Sequence, residues 1–207
     1  MCILTDRDII AAMDSGLVIR PFDRSRLGPN SYDVALGGEL LTYKLTDGSG
    51  RHPPLDCRAD NATVRWRIPD EGFTLRPGIL YLGSTVEYTE SPHHAPKLNG
   101  KSSLGRLGLF VHATAGEGDV GFRGTWTLEM TVVHPLIVYA DMPVAQLLWS
   151  TVTSPPERGY AARASSKYDG QVGPISSKMH LNFETAASAG GEISLSAPRS
   201  GSSSRSD

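Results

Sequence analysis

The stretch Thr-Trp-Thr-Leu-Glu-Met-Thr-Val-Val, residues 125–133, decides the fold class because its side chains alternate with a period of two. In an extended strand, successive side chains point to opposite faces. The apolar face carries Trp126, Leu128, Met130 and Val132. The opposite face carries threonines and one carboxylate, Glu129. A β-strand with one buried face is therefore predicted, and Glu129 lies either on a solvated face or in a polar cavity, ready for proton transfer.

The two-residue period recurs along the chain, separated by turn signals. It is clear at 32–36 and 63–67, and further strand candidates lie at 72–75, 79–82, 107–112, 136–140 and 144–150. One short helix is predicted near the N-terminus, capped by Thr5, with Asp8 at its third position and Gly16 at its end. Because no helices of about 10–15 residues alternate with the strands, a mainly β sandwich or compact barrel is predicted instead of a parallel α/β sheet.

The composition fits one globular domain followed by a tail. The chain has 207 residues, of which 39% are hydrophobic and 20% charged, and this is enough apolar surface for one core. Residues 185–207 are mostly serine, glycine and alanine, so they cannot offset the entropy cost of ordering. We expect a domain at residues 1–184 and a flexible tail at 185–207.

Charge, hydropathy and cysteine content exclude several classes of protein. The formal net charge of −2 argues against a protein that coats nucleic acid, and no apolar run approaches the ~18 residues of a membrane span. Cys2 and Cys57 are too few for a disulfide framework or for the zinc site of the common nucleobase deaminases. The sequence therefore predicts a soluble, cytoplasmic protein that binds neither nucleic acid nor membrane and holds no zinc.

A glycine- and serine-rich stretch at residues 99–108, Asn-Gly-Lys-Ser-Ser-Leu-Gly-Arg-Leu-Gly, carries the first chemical signal. Glycines let backbone amides approach an anion, the two serines donate hydroxyl groups, and Lys101 and Arg106 add positive charge. The order of residues is not that of a Walker loop. By itself, the stretch is either a phosphate-binding loop or an ordinary turn between strands.

Two further stretches contain groups that could act on a ligand. Residues 114–122 place Glu117 and Asp119 among three glycines. Either Asp119 meets a ligand hydroxyl, a water or a metal ion, or both carboxylates are simply solvated. Near the C-terminus, Tyr160 is followed by Ser-Lys-Tyr-Asp-Gly-Gln at 166–171. This segment is either a lid over a phosphorylated ligand or a mobile polar segment.

Taken in order, these stretches resemble the dCTP deaminase family of the trimeric dUTPase-like superfamily. The resemblance spans roughly residues 3–183 and includes Leu-Thr-Asp-Arg-Asp-Ile at 4–9, Pro-Asn-Ser-Tyr-Asp-Val at 29–34, the loop at 100–109 and His-Ala-Thr-Ala-Gly at 112–116. The family's order continues with Thr-Leu-Glu at 127–129, Gln-Leu at 146–147 and the Lys-Tyr pair that precedes Gln171. Four motifs in the same order are far more specific than any one of them.

The resemblance implies a homotrimer of distorted, jelly-roll-like β-barrels with active sites between subunits. It also implies zinc-independent hydrolytic deamination of dCTP or a closely related cytosine deoxynucleotide. By this resemblance, Glu129 is the general base and acid that moves protons between water and the cytosine 4-amino group. Ser102 and the Ala115 carbonyl hold the attacking water, and Arg106 stabilises the charged intermediate.

The resemblance further implies how the nucleotide is held. The triphosphate, which arrives with Mg²⁺, is expected on Lys101, Ser103, Leu104, Gly105 and Gln146. The nucleotide-binding set is completed by Ser102, Arg106, Asp119 at the deoxyribose 3′-hydroxyl, and Thr127, Leu128 and Glu129 around the base. The C-terminal lid contributes Tyr160, Lys167 and Gln171. The protein itself is expected to provide no metal site.

Two features leave the product and the regulation open. Gly116 after Ala115 resembles the bifunctional group of the family, in which the same site cleaves dUTP to dUMP and pyrophosphate with help from Asp119. However, Glu117 and Gly118 stand where the family usually has bulky apolar residues. The alternatives are a deaminase that stops at dUTP, a dUTP pyrophosphohydrolase without deamination, and a non-catalytic nucleotide-sensing regulator on the same fold.

Overall fold

The structure is a computed structural model that describes residues 2–46 and 53–188. These residues form a mainly β fold, which confirms the predicted fold class. The strands are β1 (Val18–Arg20), β2 (Tyr32–Ala35), β3 (Glu39–Tyr43), β4 (Thr63–Arg67), β5 (Phe73–Leu75), β6 (Tyr81–Glu90), β7 (His94–Gly100), β8 (Leu109–Phe110), β9 (Arg123–Val132), β10 (Leu136–Val138) and β11 (Pro143–Thr151). The α-helices are α1 (Asp6–Asp14), α2 (Ser102–Gly105) and α3 (Leu181–Ser188).

The described strands pair antiparallel in three sheets. The largest sheet has the order β4-β3-β6-β9-β8, and β1 pairs with the far end of β6. The second sheet has the order β2-β11-β7, and β10 pairs with β5 in the third. Sheets of this kind bury one face and leave the other available for a site. One face of β9 packs in the core, and the other face is left partly exposed.

The alternation predicted for β9 is confirmed. Leu128 and Met130 are fully buried in the core, whereas Thr127, Glu129 and Thr131 are only half-buried. The core on the inner face also contains Ile9, Tyr32, Leu36, Leu40, Leu147 and Trp149. Burial of this apolar set, at about 25 cal/mol per Å², fixes the register of β9 and therefore which side chains face outward.

The N-terminal helix also forms as predicted. The Asp8 carboxylate accepts a hydrogen bond from the Thr5 amide at 2.9 Å, and the Thr5 hydroxyl accepts one from the Asp8 amide at 3.5 Å, which closes a capping box. The hydrogen bond from Thr5 lowers the pKa of Asp8. Ile9 and Ala12 turn inward from α1 and join the core.

The structure differs from the predicted elements in several places. The strands β3 and β7 are not among the segments predicted from the sequence, and β6 extends far beyond residues 79–82. The strand expected at 107–112 is reduced to Leu109–Phe110. The first four residues of the predicted tail, 185–188, belong to α3, and the remainder, 189–207, lies outside the described residues.

Candidate functional site

The first candidate pocket, termed the α2 cavity, is a space of about 470 Å³ beside helix α2. The predicted site residues that line it are Lys101, Ser102, Ser103, Gly105 and Gln146. Lys101 immediately precedes α2, and the serines and the glycine on the short helix are exposed. An ammonium group, two hydroxyl groups and first-turn amides converge here, so the cavity suits a phosphorylated ligand.

The ammonium group of Lys101 is held at the wall of the α2 cavity by an ion pair with Asp33 of β2. Both side chains are more than two-thirds buried, with exposed fractions of 24% and 29%. Asp33 lies opposite Gln146 of β11, and Gln146 lies opposite Asn99 of β7. The β2-β11-β7 sheet therefore brings Lys101 and Gln146 to the same cavity, although they are distant in the sequence.

The second candidate pocket, termed the β9 cavity, also measures about 470 Å³ and opens on the polar face of β9. The predicted site residues that line it are Ala115, Asp119, Thr127, Glu129, Tyr160 and Gln171. Glu129 lies opposite Leu82 of β6 in the strand register. Glu129 is thus half-buried in the wall of the β9 cavity.

The loop that carries Asp119 is fastened to β7. The Leu98 amide donates to the Gly116 carbonyl at 2.7 Å, and the Gly118 amide donates to the Pro96 carbonyl at 2.8 Å. Between them, Lys97 Nζ lies 2.7 Å from Glu117 Oε1. Glu117, which departs from the family pattern, is therefore paired with a cation and does not leave an uncompensated charge in the β9 cavity.

Asp119 has a partner from the C-terminal segment. Arg163 Nη1 lies 3.6 Å from Asp119 Oδ2, and both side chains are about half exposed. Sequence patterns do not reveal this pair, because Arg163 is far from Asp119 in the chain and belongs to no motif. The guanidinium is nevertheless placed beside the carboxylate that is predicted to meet the sugar.

The C-terminal segment is hydrogen-bonded to β9 and its neighbours at residues 168–171. The Thr125 amide donates to the Gln171 carbonyl at 2.9 Å, and Gln171 Nε2 donates to the Thr125 carbonyl at 2.7 Å. Arg123 binds Asp169 through Nε and Nη2 at 3.1 and 2.6 Å, which lowers the pKa of Asp169. Among the described residues, Gln171 Oε1 is buried and has no hydrogen-bond partner, so it remains available to a ligand's N–H or O–H.

Tyr160 closes one side of the β9 cavity. Its amide donates to the Val120 carbonyl at 2.8 Å, and its hydroxyl accepts from the Tyr168 amide at 3.2 Å. The Tyr160 ring centroid lies 5.8 Å from that of Phe122. Burial raises the pKa of Tyr160, so the phenol stays neutral and keeps its proton at physiological pH.

Four predicted site residues line neither cavity. Leu104 is packed against the core, and the side chain of Leu128 is fully buried behind β9. Arg106 follows α2 and is exposed. Lys167 Nζ donates to Asn182 Oδ1 at 2.8 Å, away from the cavity lining. Because the Leu128 side chain is buried, only the Leu128 backbone could approach a base.

Four aromatic side chains outside the predicted set of site residues form much of the β9 cavity. They are Tyr43, Phe122, Trp126 and Tyr168. Trp126 was predicted correctly on the buried face of β9, but its ring also reaches the cavity wall. An apolar wall with a few polar groups is typical of a small-molecule site.

Two features are absent from the described residues. Over residues 2–46 and 53–188, no three His, Cys, Asp or Glu side chains come together in a way that could hold a metal ion. In the same part of the chain, no helix is long and apolar enough to cross a membrane.

Comparison with known proteins identifies relatives over most of the chain. The dCTP deaminase-like family model matches residues 3–152. A protein of Leptospira biflexa named "dCTP deaminase, dUMP-forming" is 43% identical over 182 residues, which cover 88% of this chain and 98% of the relative. A protein of Cytophaga hutchinsonii with the same name is 44% identical over 182 residues, which cover 88% of this chain and 99% of the relative.

The fold has a solved counterpart. The crystal structure of 2′-deoxycytidine 5′-triphosphate deaminase from Agrobacterium tumefaciens superposes with a TM-score of 0.56 at 20% identity. The superposition covers 72% of this chain and 48% of that one, so it supports the fold alone. The family model and the two relatives lead to one conclusion: the chain belongs to the dCTP deaminase-like family.

Proposed function

We propose that the protein deaminates dCTP and then releases pyrophosphate to give dUMP. In the first step, dCTP and water yield dUTP and ammonia. In the second step, dUTP and another water yield dUMP and pyrophosphate. Two observations support this proposal. Glu129 lines a cavity of about 470 Å³, which is within the range of small-molecule sites. Two relatives that match this chain over 98–99% of their length bear the name "dCTP deaminase, dUMP-forming".

The predicted site residues of one chain are divided between two cavities, and this division supports an active site shared between protomers. The α2 cavity holds the groups suited to a triphosphate, whereas the β9 cavity holds Glu129 and Asp119. We propose a homotrimer in which the α2 cavity of one protomer completes the β9 cavity of the next. Exposed apolar side chains beside α2 and β8, at Leu107, Phe110 and Val133, fit such an interface.

For deamination, Glu129 removes a proton from the attacking water and later delivers one to the departing ammonia. The Ala115 carbonyl, in the same cavity, and the Ser102 hydroxyl of a neighbouring protomer hold that water. Arg106 is exposed at the end of α2, where it can extend towards a neighbouring protomer. Its guanidinium stabilises the charged intermediate.

For binding, the triphosphate lies in the α2 cavity. Lys101 supplies charge, Ser103 a hydroxyl group and Gln146 an amide. Leu104 and Gly105 lie beside the triphosphate, with their amides donating to the Lys101 carbonyl at 3.0 and 2.9 Å. Magnesium enters with the substrate, because triphosphate oxygens are the hard ligands that this ion prefers.

At the other end of the nucleotide, Asp119 meets the 3′-hydroxyl and helps to activate the second water. Thr127 and the Leu128 backbone frame the base, and Tyr160 and Gln171 cover it. Lys167 reaches the nucleotide only if its hydrogen bond to Asn182 opens. We place the enzyme in the cytoplasm, in keeping with two exposed, unpaired cysteines, Cys2 and Cys57.

The test is incubation of the pure protein with dCTP and Mg²⁺, followed by separation of nucleotides and measurement of ammonia and pyrophosphate. Equal amounts of ammonia, pyrophosphate and dUMP are expected. Accumulation of dUTP would remove the second step from the proposal. Pyrophosphate release from dUTP without ammonia release from dCTP would identify a dUTP pyrophosphohydrolase. Nucleotide binding without any turnover would identify a sensor.

A further inference from the structure

Trp126 packs directly against the backbone of Gly118. A Cβ atom on Gly118 would lie 2.4 Å from Cη2 of Trp126 and 2.9 Å from Cγ of Pro96. Ordinary van der Waals contact for such an atom begins at 3.4 Å. Any other residue at this position would therefore force the loop and the indole apart by about 1 Å, since packed interiors leave little free space.

The indole has little freedom to yield. Trp126 Nε1 donates to Thr89 Oγ1 at 3.0 Å, and the Trp126 amide donates to Thr85 Oγ1 at 2.9 Å. The ring centroids of Trp126 and Phe122 are 4.9 Å apart. The ring is thus held by one hydrogen bond to Thr89 of β6 and by an aromatic contact with Phe122, and the backbone amide bond to Thr85 fixes the strand position from which the ring projects.

The loop is held equally firmly from the side of β7. The Gly118 amide is bonded to Pro96, and Glu117 is paired with Lys97, as described above. Gly118 therefore lies between two fixed surfaces, β7 and the indole. Because Asp119 is the next residue, its position follows that of Gly118. Ala115, three residues earlier, is separated from this point by the independent Leu98–Gly116 hydrogen bond.

We propose that Gly118 and Trp126 are a size-matched pair of positioning residues that set where Asp119 stands in the β9 cavity. Resting on the proposed function, this pair controls pyrophosphate release more strongly than deamination. The deamination groups Glu129 and Ala115 are anchored by β9 itself and by the other end of the loop. The pair also gives Gly118 a role that its departure from the family pattern leaves unexplained.

The test is a double-mutant cycle of G118A and W126F, with ammonia and pyrophosphate measured separately. We expect G118A to lower the kcat of pyrophosphate release by about 10- to 100-fold, because a shift of about 1 Å misplaces Asp119. Ammonia release should change by less than about threefold, so dUTP accumulates. In the W126F background, which lacks the nearest clashing ring atom but keeps Pro96, G118A should lower pyrophosphate release several-fold less than it does in the wild type.

A matched control is G38A, because a Cβ atom on the exposed Gly38 meets nothing within 4 Å. This variant should match the wild type in both steps. Rates are referred to the folded fraction measured by thermal unfolding. If G118A alone does not fold, folding of G118A/W126F supports the steric pairing, and failure of both overturns it.

Parallel loss of ammonia and pyrophosphate release in G118A, or an equal penalty in the W126F background, would overturn the inference. A wild-type protein that releases no ammonia from dCTP would contradict the proposed deamination instead. The same cycle is then measured on pyrophosphate release from dUTP. Absence of turnover on both nucleotides would overturn both proposals.

Discussion

Arg26 and Glu87 form an ion pair inside the fold, with 2.5 Å between Arg26 Nη1 and Glu87 Oε1. Glu87 is fully buried, and its other oxygen accepts a hydrogen bond from the Ala35 amide at 2.9 Å. Burial raises the pKa of Glu87, and the Ala35 hydrogen bond and Arg26 oppose that rise. The short segment before β2 is thereby joined to the middle of β6.

Replacement of Arg26 by methionine should destabilise the protein by about 3 kcal/mol at neutral pH, because it leaves a buried carboxylate without its cation. A carboxyl group with a raised pKa contributes stability at acid pH that is lost as pH rises through the folded-state pKa. The R26M penalty should therefore shrink as pH falls through the folded-state pKa of Glu87, which lies above the ordinary value, and should be smallest below about pH 4. Denaturant unfolding of the wild type and R26M at several pH values measures this difference in the free energy of unfolding.

The control for R26M is R65M, which removes an exposed pair with Glu39. This variant should change stability by less than about 1 kcal/mol. Equal penalties for R26M and R65M would contradict the importance of burial.

Glu129→Gln should lower the kcat of ammonia release by about 10²- to 10⁴-fold, which is the usual contribution of general acid–base catalysis. The amide has nearly the same shape as the carboxylate, so calorimetric binding of dCTP should be retained. Thr131→Ser, on the same face of β9 but outside the cavity lining, serves as the control. Undiminished ammonia release in E129Q would exclude Glu129 as the proton carrier.

Lys101→Met should raise the KM for dCTP by about 10- to 100-fold, because it removes a charge-assisted contact worth about 1.5–3 kcal/mol. Asp33→Asn should raise KM less, since it loosens the ammonium group without removing it. Steady-state kinetics at constant ionic strength measure both, with the exposed Lys44→Met as control. An unchanged KM in K101M would argue against a triphosphate in the α2 cavity.

Asp169→Asn should release the C-terminal segment from β9. Arg123 lowers the pKa of Asp169, so the stability from this pair is present above the unfolded aspartate pKa of about 3.9 and is lost as pH falls through the folded value. We expect the Gly170 amide, which donates to Arg123 O at 2.8 Å, to exchange hydrogen faster in D169N at neutral pH. The difference from wild type should disappear in acid. The exposed Asp60→Asn is the control.

Two inactive variants should complement each other if sites lie between protomers. Ser102→Ala disables the α2 cavity and E129Q the β9 cavity, so random trimers from an equal mixture regain about one intact site in four. Co-expression followed by size-exclusion chromatography and an ammonia assay measures this recovery. A mixed trimer without recovered activity would place both groups in one chain's site.

The sequence predicted well whatever depends on local periodicity. The Thr5–Asp8 capping box and the alternation of Leu128, Met130 and Val132 are both present in the structure. By contrast, most of β6 was missed because a bulge between Ser84 and Tyr88 interrupts its register and its period. The strand β7 was missed because it contains Pro96, which is tolerated because β7 is the last strand of its sheet.

The candidate site was predicted as a set of residues but not as an arrangement. Family motifs identified Lys101 and Glu129, yet nothing local in the chain reveals that they line different cavities. The pairing of Asp119 with Arg163 and the packing of Trp126 on Gly118 arise from tertiary contacts between distant segments. Such contacts leave no periodic trace in one sequence.

The strict alternation of β9 has a consequence for insertions and deletions. Since one face of the strand is core and the other lines the cavity, a shift of one position would preserve the backbone ladder while exchanging the faces. Leu128 or Met130 would then enter the cavity and the carboxylate of Glu129 would enter the core. A frame-preserving loss of one codon within β9 would therefore remove activity and stability together, whereas single substitutions can separate the two.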